Sequence, residues 1–504
     1  MNPADIPPVS HDWGAIVPEM VLAGGALLLL LLEVVVPTLK RWLPHLTAAL
    51  FVLLAVGLGW NRLANGFGGS QEFFGGMLRQ TAYTDLYRIF FLLTGAAVAH
   101  LGMTYLRSRP LARVEFFHVL LVVIASLMLL VQSAHFAMLF VALETLTIGF
   151  YILVAYGRYS ALSLEAGLKY LVVGSLSSGL TLFGIVLLFG AASNPVFDYS
   201  TTQPFHFGAL AEFFTAYHRM HEGAQPLLGL VGAGLVISGV AFKIGLVPFQ
   251  IWIPDVYQGA PTPVTALLAV GSKAGGVFIL LNLVGPNGPF AQLEAVTIPL
   301  LTLLTAATLL FGNLAALGQR NVKRLMGLSG VAHAGFLILG VLASAQQEWL
   351  VPVIFFYLVV YALASFGVFE VMTHVGPPED ADQGFDDYSE LMKHQPLLWG
   401  SLAIGLGSLA GIPPLAGFVA KVLIFYGALQ AELYWLLGLA IFGVVCSIYY
   451  YFGWLRATVT KSLFEDASRG TARQPTTGTR AILYGLSALT VLFGLYQGIF
   501  ALGY

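Results

Sequence analysis

The sequence has 504 residues, of which 58% are hydrophobic and 10% are charged. Soluble domains carry about 25% charged residues, so 23 Lys and Arg with 25 Asp and Glu are too few to cover a globular surface of this size. The formal net charge of −2 excludes the basic field that would recruit nucleic acid. The single cysteine, Cys446, excludes an internal disulfide and leaves too few thiolates for an iron–sulfur cluster. We therefore expect an integral membrane protein without a redox centre of its own.

Long apolar segments recur along the whole chain. A helix needs about 20 mostly apolar residues to cross a bilayer, and fourteen segments meet or approach this length. They span residues 15–36, 43–60, 84–106, 112–131, 135–156, 165–190, 227–250, 261–283, 292–314, 322–343, 350–374, 397–428, 434–456 and 481–501. Residues 1–19 contain no Lys or Arg, and the first apolar run is long enough to stay as a spanning helix, so we expect no cleaved signal peptide. The sequence predicts an all-α integral membrane fold of about fourteen transmembrane helices, with longer connections near 191–226 and 375–394.

Lys and Arg are distributed unevenly between the two sets of connections. If the N-terminus lies outside, fifteen of them fall on the inner side and four, Arg62, Arg79, Arg88 and Arg219, fall on the outer side. Cytoplasmic loops carry an excess of Lys and Arg, so this asymmetry predicts that both termini lie on the outer, periplasmic side. Six acidic residues crowd the inner loop at 379–390. We interpret that loop as solvated, with a docking surface for a neighbouring subunit as the alternative.

Four ionisable residues lie deep within apolar segments: Glu144 in the fifth, Lys243 in the seventh, Lys273 in the eighth and Lys421 in the twelfth. Four such groups without partners would cost on the order of 10 kcal/mol. A buried Lys can gain and lose a proton, because burial destabilises its charge and a nearby carboxylate stabilises it. We therefore predict that these residues move protons or small cations, with Glu144 controlling Lys243. The alternative is one buried ion pair and two lysines that snorkel to the surface.

Three further residues are candidates for a proton relay. His333 lies in the middle of the tenth segment, one turn from Ser329, and an imidazole titrates near neutrality. A lone His in an apolar helix is equally compatible with a hydrogen-bonded packing role. Lys169 lies near the inner end of the sixth segment, where it is better placed to snorkel than to relay. No cluster of Cys, His or carboxylates resembles a metal site.

Two segments contain prolines that should break their helices. Pro248 follows Lys243 in the seventh segment, and Pro413 and Pro414 precede Lys421 in the twelfth. Proline removes a backbone donor and clashes with the preceding turn, and the freed carbonyl must line a wet cavity or be buried in protein. A packing kink is the alternative, but paired broken helices are typical of transport sites in inverted repeats. We predict N-terminal helices 1–3 in residues 1–110, inverted repeats of five helices each (helices 4–8 and 9–13) in 111–284 and 285–457, and a C-terminal helix in 458–504.

The residues around the first break resemble a known family signature. The run FKIGLVPF at 242–249, continuing as WIPDVYQGAPTPV at 252–264, resembles the proton-conducting antiporter family. The form DVYQGAP at 255–261, followed by GSKA at 271–274, is similar to the N-type members of that family in respiratory complex I, the proton-pumping NADH:quinone oxidoreductase. Together with the fourteen-segment pattern, the resemblance covers essentially the whole chain.

This resemblance implies a proton-translocating subunit embedded beside related antiporter-like subunits in a bacterial inner membrane. NADH, FMN, iron–sulfur clusters and quinone would then bind to partner subunits, and no cofactor would bind to this chain. Glu144, Lys243 and Lys273 match the family's residues in helices 5, 7 and 8. Lys421 matches its helix 12 site, where the related middle subunit is expected to carry Glu instead.

Other functions share some of these features. A subunit of a multisubunit Na⁺/H⁺ antiporter would have the same fold and lysines, and purification with small cation-antiporter partners would distinguish it. A membrane scaffold that no longer pumps could relieve the cost of its buried charges with apolar residues. A solitary transporter of an organic solute would need a polar substrate site beyond the charged residues.

Overall fold

The computed structural model describes residues 13–496 apart from 37–39, 66–68, 108, 110, 112–113, 195–199, 224, 287, 378 and 461–472. These residues form nineteen α-helices and one short antiparallel hairpin. The helices are α1 (Val17–Val35), α2 (Leu43–Asn65), α3 (Ala82–Leu106), α4 (Val114–Gln132), α5 (Phe136–Val154), α6 (Ala161–Ala192), α7 (Phe207–Met220), α8 (Leu227–Ile244), α9 (Ile253–Gly259), α10 (Thr262–Leu267), α11 (Lys273–Val284), α12 (Glu294–Leu317), α13 (Val322–Ser344), α14 (Leu350–Val375), α15 (Leu391–His394), α16 (Pro396–Ala410), α17 (Ala416–Gln430), α18 (Tyr434–Ala457) and α19 (Thr477–Leu495). The hairpin strands are β1 (Gln71–Phe73) and β2 (Leu78–Gln80).

The helices confirm the predicted membrane architecture. Thirteen helical stretches in the described part of the chain are long and apolar enough to cross a membrane. They match every predicted segment except the twelfth, which contains the two shorter apolar helices α16 and α17. The end of the fourteenth predicted segment, 497–501, lies outside the described residues. The chain is therefore an all-α integral membrane protein with a broken twelfth span.

Helix α13 is the innermost element of the bundle. All of its residues except Arg324 are buried, and α9, α12, α14, α17 and α18 pack around it. Peripheral helices such as α1 and α19 leave most of their apolar side chains exposed, as lipid-facing helices do. Polar side chains on α13 therefore lie as far from lipid as this fold allows.

Both predicted breaks are present, and a glycine begins each of them. Gly245 caps the C-terminal end of α8 with φ of 86°, and Gly411 caps that of α16 with φ of 84°. In each case the amide after the glycine bonds to a carbonyl five residues back, from Leu246 to Ala241 and from Ile412 to Gly407. This left-handed cap closes the helix end, and glycine adopts it without steric cost. The prolines follow the cap and prevent the helix from resuming.

Two predicted connections contain regular structure that the sequence analysis did not identify. The connection at 191–226 contains α7, which buries Phe207, Leu210, Phe213 and Phe214 on one side. The connection between α2 and α3 contains the hairpin. These short elements cover one end of the bundle, where apolar side chains would otherwise meet water.

The expectation of a solvated acidic loop at 379–390 is wrong for Asp380. Its carboxylate is buried, pairs with the Lys323 ammonium at 2.9 Å, and lies 3.5 Å from the Arg109 guanidinium. It also accepts hydrogen bonds from the amide and hydroxyl of Thr262, at the start of α10. Because buried charges require partners, Asp380 fastens this loop to α10, to α13 and to the connection that follows α3. Asp382 and Asp386 of the same loop are exposed, as expected.

Replacing Asp380 with asparagine is expected to lower the free energy of unfolding by about 3 kcal/mol at neutral pH, because Lys323 would lose its buried counter-charge. Burial alone would raise the pKa of the Asp380 carboxyl, but Lys323 and Arg109 outweigh it and keep the pKa below its usual 3.8. A carboxyl with a lowered pKa stabilises the fold above its unfolded pKa, and this stability is lost as pH falls through the folded pKa. Thermal unfolding of the detergent-solubilised complex should therefore show the deficit at pH 7, and the deficit should vanish only below pH 3.8.

The exposed Asp382 provides a matched control, since Asp382→Asn removes a charge from the same loop without disrupting a buried ion pair. We expect its unfolding temperature to match the native chain throughout. Equal stability of Asp380→Asn and the native chain at pH 7 would contradict a fastening role for the carboxylate.

Arg88 was counted among the outer-side loop charges, but it lies inside α3 and is only 2% exposed. Its guanidinium donates to both carboxylate oxygens of Glu19 on α1 at 2.8 Å and to Asp85 at 2.8 Å. Asp85 also pairs with Arg62 on α2. This cluster of two arginines and two carboxylates, hereafter the N-terminal charge cluster, joins α1, α2 and α3 through buried bonds.

Candidate functional site

The first part of the site lies between α5, α6 and α8. Glu144 is partly exposed on α5 and accepts a short hydrogen bond from Ser178 on α6. Lys243, in the last turn of α8, donates to the Thr147 hydroxyl at 2.5 Å. Thr147 lies one turn after Glu144 on the same helix, so α5 brings the two predicted residues near each other without direct contact. The C-terminal end of α8 favours a cation at Lys243.

Lys273 lies at the centre of the bundle, at the start of α11. A π-helical turn, Leu268–Ser272, precedes it, and such turns are frequent at functional sites. Its ammonium donates to the Gly330 carbonyl at 2.5 Å and to the Tyr361 hydroxyl at 3.2 Å. The neighbouring Ser272 hydroxyl donates to the Lys243 carbonyl at 3.3 Å. The two lysine-bearing segments are therefore joined directly.

His333 follows on α13 and is fully enclosed by aromatic side chains. Its Nδ1 lies 2.7 Å from the Tyr357 hydroxyl, and its Nε2 lies 3.5 Å from the Tyr451 hydroxyl. The ring of Tyr361 lies 4.9 Å from the His333 ring, between centroids. Ser329 donates to the Met326 carbonyl of its own helix at 3.0 Å. Both ring nitrogens of His333 thus face hydroxyl groups.

Lys421 on α17 lies at the second helix break. Its ammonium donates to the carbonyl oxygens of Leu409 at 2.8 Å and Ala410 at 3.0 Å. These belong to the last turn of α16, whose carbonyls lack helical partners. The carbonyls that the break frees are therefore bound by a buried cation. A cavity of about 10 Å³ separates Lys421 from His333.

The exposures of the three predicted lysines decide between the two interpretations of the buried charges. Lys243, Lys273 and Lys421 are 5%, 3% and 3% exposed. None of them reaches the surface, and the hydrogen-bond partners of each are uncharged. The alternative of one buried ion pair and two snorkelling lysines is therefore wrong.

Lys169 lies apart from these residues. Its side chain is 42% exposed and pairs with Glu165 at 2.7 Å and with Asp255 at 2.6 Å. Asp255 in turn binds Arg324 on α13 at 2.8 Å. The predicted snorkelling position of Lys169 agrees with this surface ion-pair network. A relay role for Lys169 stays a prediction that none of these contacts supports.

Sequence reasoning missed the hydroxyl groups between the charged residues. Tyr357 and Tyr361 lie four residues apart on α14, so they share one helix face. That spacing was the available signal, but tyrosines in apolar helices usually serve packing. The buried Glu370 was also missed; it lies 3.4 Å from His100 and 3.7 Å from His374, on the opposite face of α14.

Metal binding finds no support in this part of the molecule. Among the residues whose positions are described, no three His, Cys, Asp or Glu side chains gather in a way that could hold a metal ion. The site is a row of carboxylate, amino and imidazole groups with hydroxyl groups between them, which can pass protons. In order, the row contains Glu144, Lys243, Lys273, His333 and Lys421.

Comparisons with known proteins identify the family to which the chain belongs. Residues 133–447 match the family described as NADH:quinone oxidoreductase/Mrp antiporter, TM. The chain is 48% identical to NADH-quinone oxidoreductase subunit N 1 of Opitutus terrae, covering 97% of this chain and 96% of that one. It is 35% identical to subunit N 1 of Rhizobium meliloti, over 94% and 93% of the two chains.

A solved structure shows the same fold. A chain of respiratory complex I from Thermus thermophilus, determined with bound aureothin, is similar with a TM-score of 0.77 and 29% identity. The similarity covers 96% of this chain and 98% of that one. The chain therefore belongs to the family of NADH:quinone oxidoreductase and Mrp antiporter membrane subunits, and within that family to the N subunits.

Proposed function

We propose that this chain translocates protons as the N subunit of a proton-pumping NADH:quinone oxidoreductase. One observation carries the proposal: three lysines whose hydrogen-bond partners are uncharged lie buried in a single row with His333, at the centre of a membrane-spanning bundle. Uncompensated charges inside a membrane protein are costly and mark ion pathways by default. The N-subunit relatives support the assignment to this enzyme.

Protons would move along the row by local transfers between neighbouring groups. Glu144 would exchange protons near the surface of the bundle, and the Thr147 hydroxyl would link its helix to Lys243. Lys243 and Lys273 would follow, since Ser272 joins their segments. Because each buried cation destabilises its neighbours, a proton arriving at one lysine would favour release from the next. This repulsion could drive stepwise movement towards Lys421.

The surroundings of the chain follow from the same proposal. The excess of Lys and Arg on one side supports both termini on the outer side of a bacterial inner membrane. Partner subunits would bind NADH, FMN, iron–sulfur clusters and quinone, and redox chemistry there would drive the transfers. Related antiporter-like subunits would pack against the exposed apolar faces of the peripheral helices.

Proton pumping by inverted membrane vesicles tests the proposal. With NADH as donor, Lys243→Ala is expected to lower the rate of proton pumping by tenfold or more, because general acid–base groups contribute about 10²-fold or more to a rate. Lys393→Ala, which removes an exposed lysine of α15, is the matched control and should pump normally. Normal pumping by an assembled complex that carries Lys243→Ala would reduce this chain to a scaffold.

A Na⁺/H⁺ antiporter subunit is the second candidate, because the matching family includes Mrp antiporter subunits. Purification of the chain from native membranes separates the two functions. We expect it to copurify with NADH-oxidising activity. Copurification with small membrane subunits and no NADH oxidation would instead favour the antiporter.

A further inference from the structure

Tyr361 lies where the row of titratable residues passes from Lys273 on α11 to His333 on α13. Its ring is buried between α11 and α13, with the Lys273 ammonium 4.6 Å from the ring centroid. The hydroxyl itself is 3.2 Å from that ammonium. Tyr361 is thus a titratable group in direct contact with Lys273, and His333 lies beyond it, 4.9 Å from the Tyr361 ring between centroids.

On its other side, Tyr361 borders the small cavity next to Lys421. The cavity has a volume of about 10 Å³ and is also lined by Tyr357, His333, Ser408 and Lys421. This is the size of a single water molecule, which needs two to four polar partners to be retained. Besides Tyr361, four of the side chains that border the cavity carry a hydrogen-bonding group, among a mostly apolar lining.

We propose that the Tyr361 hydroxyl transfers protons between Lys273 and Lys421 through one water in this cavity. The inference rests on the proposed pumping function and assigns Tyr361 a direct part in it. Packing alone would be satisfied by a phenylalanine, because the ring supplies the contacts with Lys273 and with His333. The hydroxyl is what joins the two sides.

The transfer requires no charged phenolate. The Lys273 ammonium donates a proton to the Tyr361 oxygen while the phenolic hydrogen leaves to the cavity water. The water passes one of its own hydrogens to the neutral amine of Lys421. Lys273 ends neutral, Lys421 ends as an ammonium, and Tyr361 and the water regain their original composition. Rotation of the hydroxyl then resets the chain for the next proton.

Tyr361→Phe tests this role because it removes only the oxygen. In vesicles with NADH as donor, we expect the rate of proton pumping to fall on the order of tenfold, with the complex assembled and its unfolding temperature maintained. Tyr87→Phe is the matched control, since Tyr87 is a buried tyrosine of α3 whose hydroxyl has no hydrogen-bond partner among the described residues. It should pump normally.

A second variant fills the cavity and leaves every titratable group in place. Ala420 lines the cavity, and Ala420→Val adds two methyl groups where the water would lie. We expect a loss of pumping similar to that of Tyr361→Phe. If Tyr361→Phe does not assemble, Ala420→Val tests whether protons pass through the cavity.

Lys243→Ala, measured in the same vesicles, separates the possible failures. If it stops pumping while Tyr361→Phe or Ala420→Val assembles and pumps normally, the role of Tyr361 is wrong and the proposed function stands. If all three variants pump normally, the proposed function itself fails.

Discussion

Lys273→Met is expected to stop proton pumping almost completely while the complex assembles and remains at least as heat-stable as the native enzyme. Lys273 is the middle group of the row, and no route along its own helix leads to water. Methionine fills a similar volume but can neither accept nor release a proton. We expect the rate of NADH-driven proton pumping to fall by tenfold or more, as for the loss of an acid–base group worth about 10²-fold or more.

The unchanged stability follows from the partners of Lys273. They are a helix carbonyl and a phenolic hydroxyl, both uncharged, so removing the ammonium leaves no counter-charge stranded. Burying an ammonium is costly, and replacing it with an apolar group of similar size is often neutral or stabilising. A residue whose loss harms activity but not stability is retained for function.

Lys323→Met provides the contrast. Lys323 is also fully buried, but it pairs with Asp380 at 2.9 Å. Its removal would strand that carboxylate, so we expect a lower unfolding temperature, measured by differential scanning fluorimetry of the purified complex. If Lys273→Met destabilised the complex as much as Lys323→Met, a structural role for Lys273 would replace the proposed one.

The positions of the buried lysines could be predicted because depth in a membrane helix is a property of the sequence. Lys243, Lys273 and Lys421 are each flanked by long apolar stretches, and their burial followed from that alone. The helix breaks were predictable for a similar reason, since proline acts on its own backbone. The capping of the helix ends by Gly245 and Gly411 could not be predicted, because a glycine in an apolar helix can also serve close packing.

The contacts across the bundle could not be predicted from one sequence. Asp380 lies in an acidic loop and Arg88 lies near the end of a segment, so both have the pattern of solvated charges. Their burial depends on partners that are distant in the chain. Lys323 lies 57 residues from Asp380, and Glu19 lies 69 residues from Arg88. The role proposed for Tyr361 depends in the same way on contacts with α11 and α17. The order of charged residues along a chain does not show which of them pair in the folded protein.

Arg88→Met is expected to cause the largest loss of stability in the molecule, about 3–5 kcal/mol, because it strands a buried carboxylate. Arg88 makes two parallel hydrogen bonds to Glu19, and both side chains are almost completely buried. Asp85 retains Arg62 as a partner, whereas among the described residues Glu19 would retain only the side-chain amide of Gln132. The loss should therefore appear first as detachment of α1, measured by faster hydrogen exchange of its backbone amides.

A double variant separates the stranded charge from other effects. Adding Glu19→Gln to Arg88→Met removes the uncompensated carboxylate, so we expect at least about half of the lost stability to return. The exposed Arg219 offers a control, and Arg219→Met should leave the unfolding temperature unchanged. If the double variant were no more stable than Arg88→Met, the loss would come from packing of the arginine stem. The N-terminal charge cluster would then contribute little through its charges, and α1 would be anchored mainly by its apolar contacts with α4.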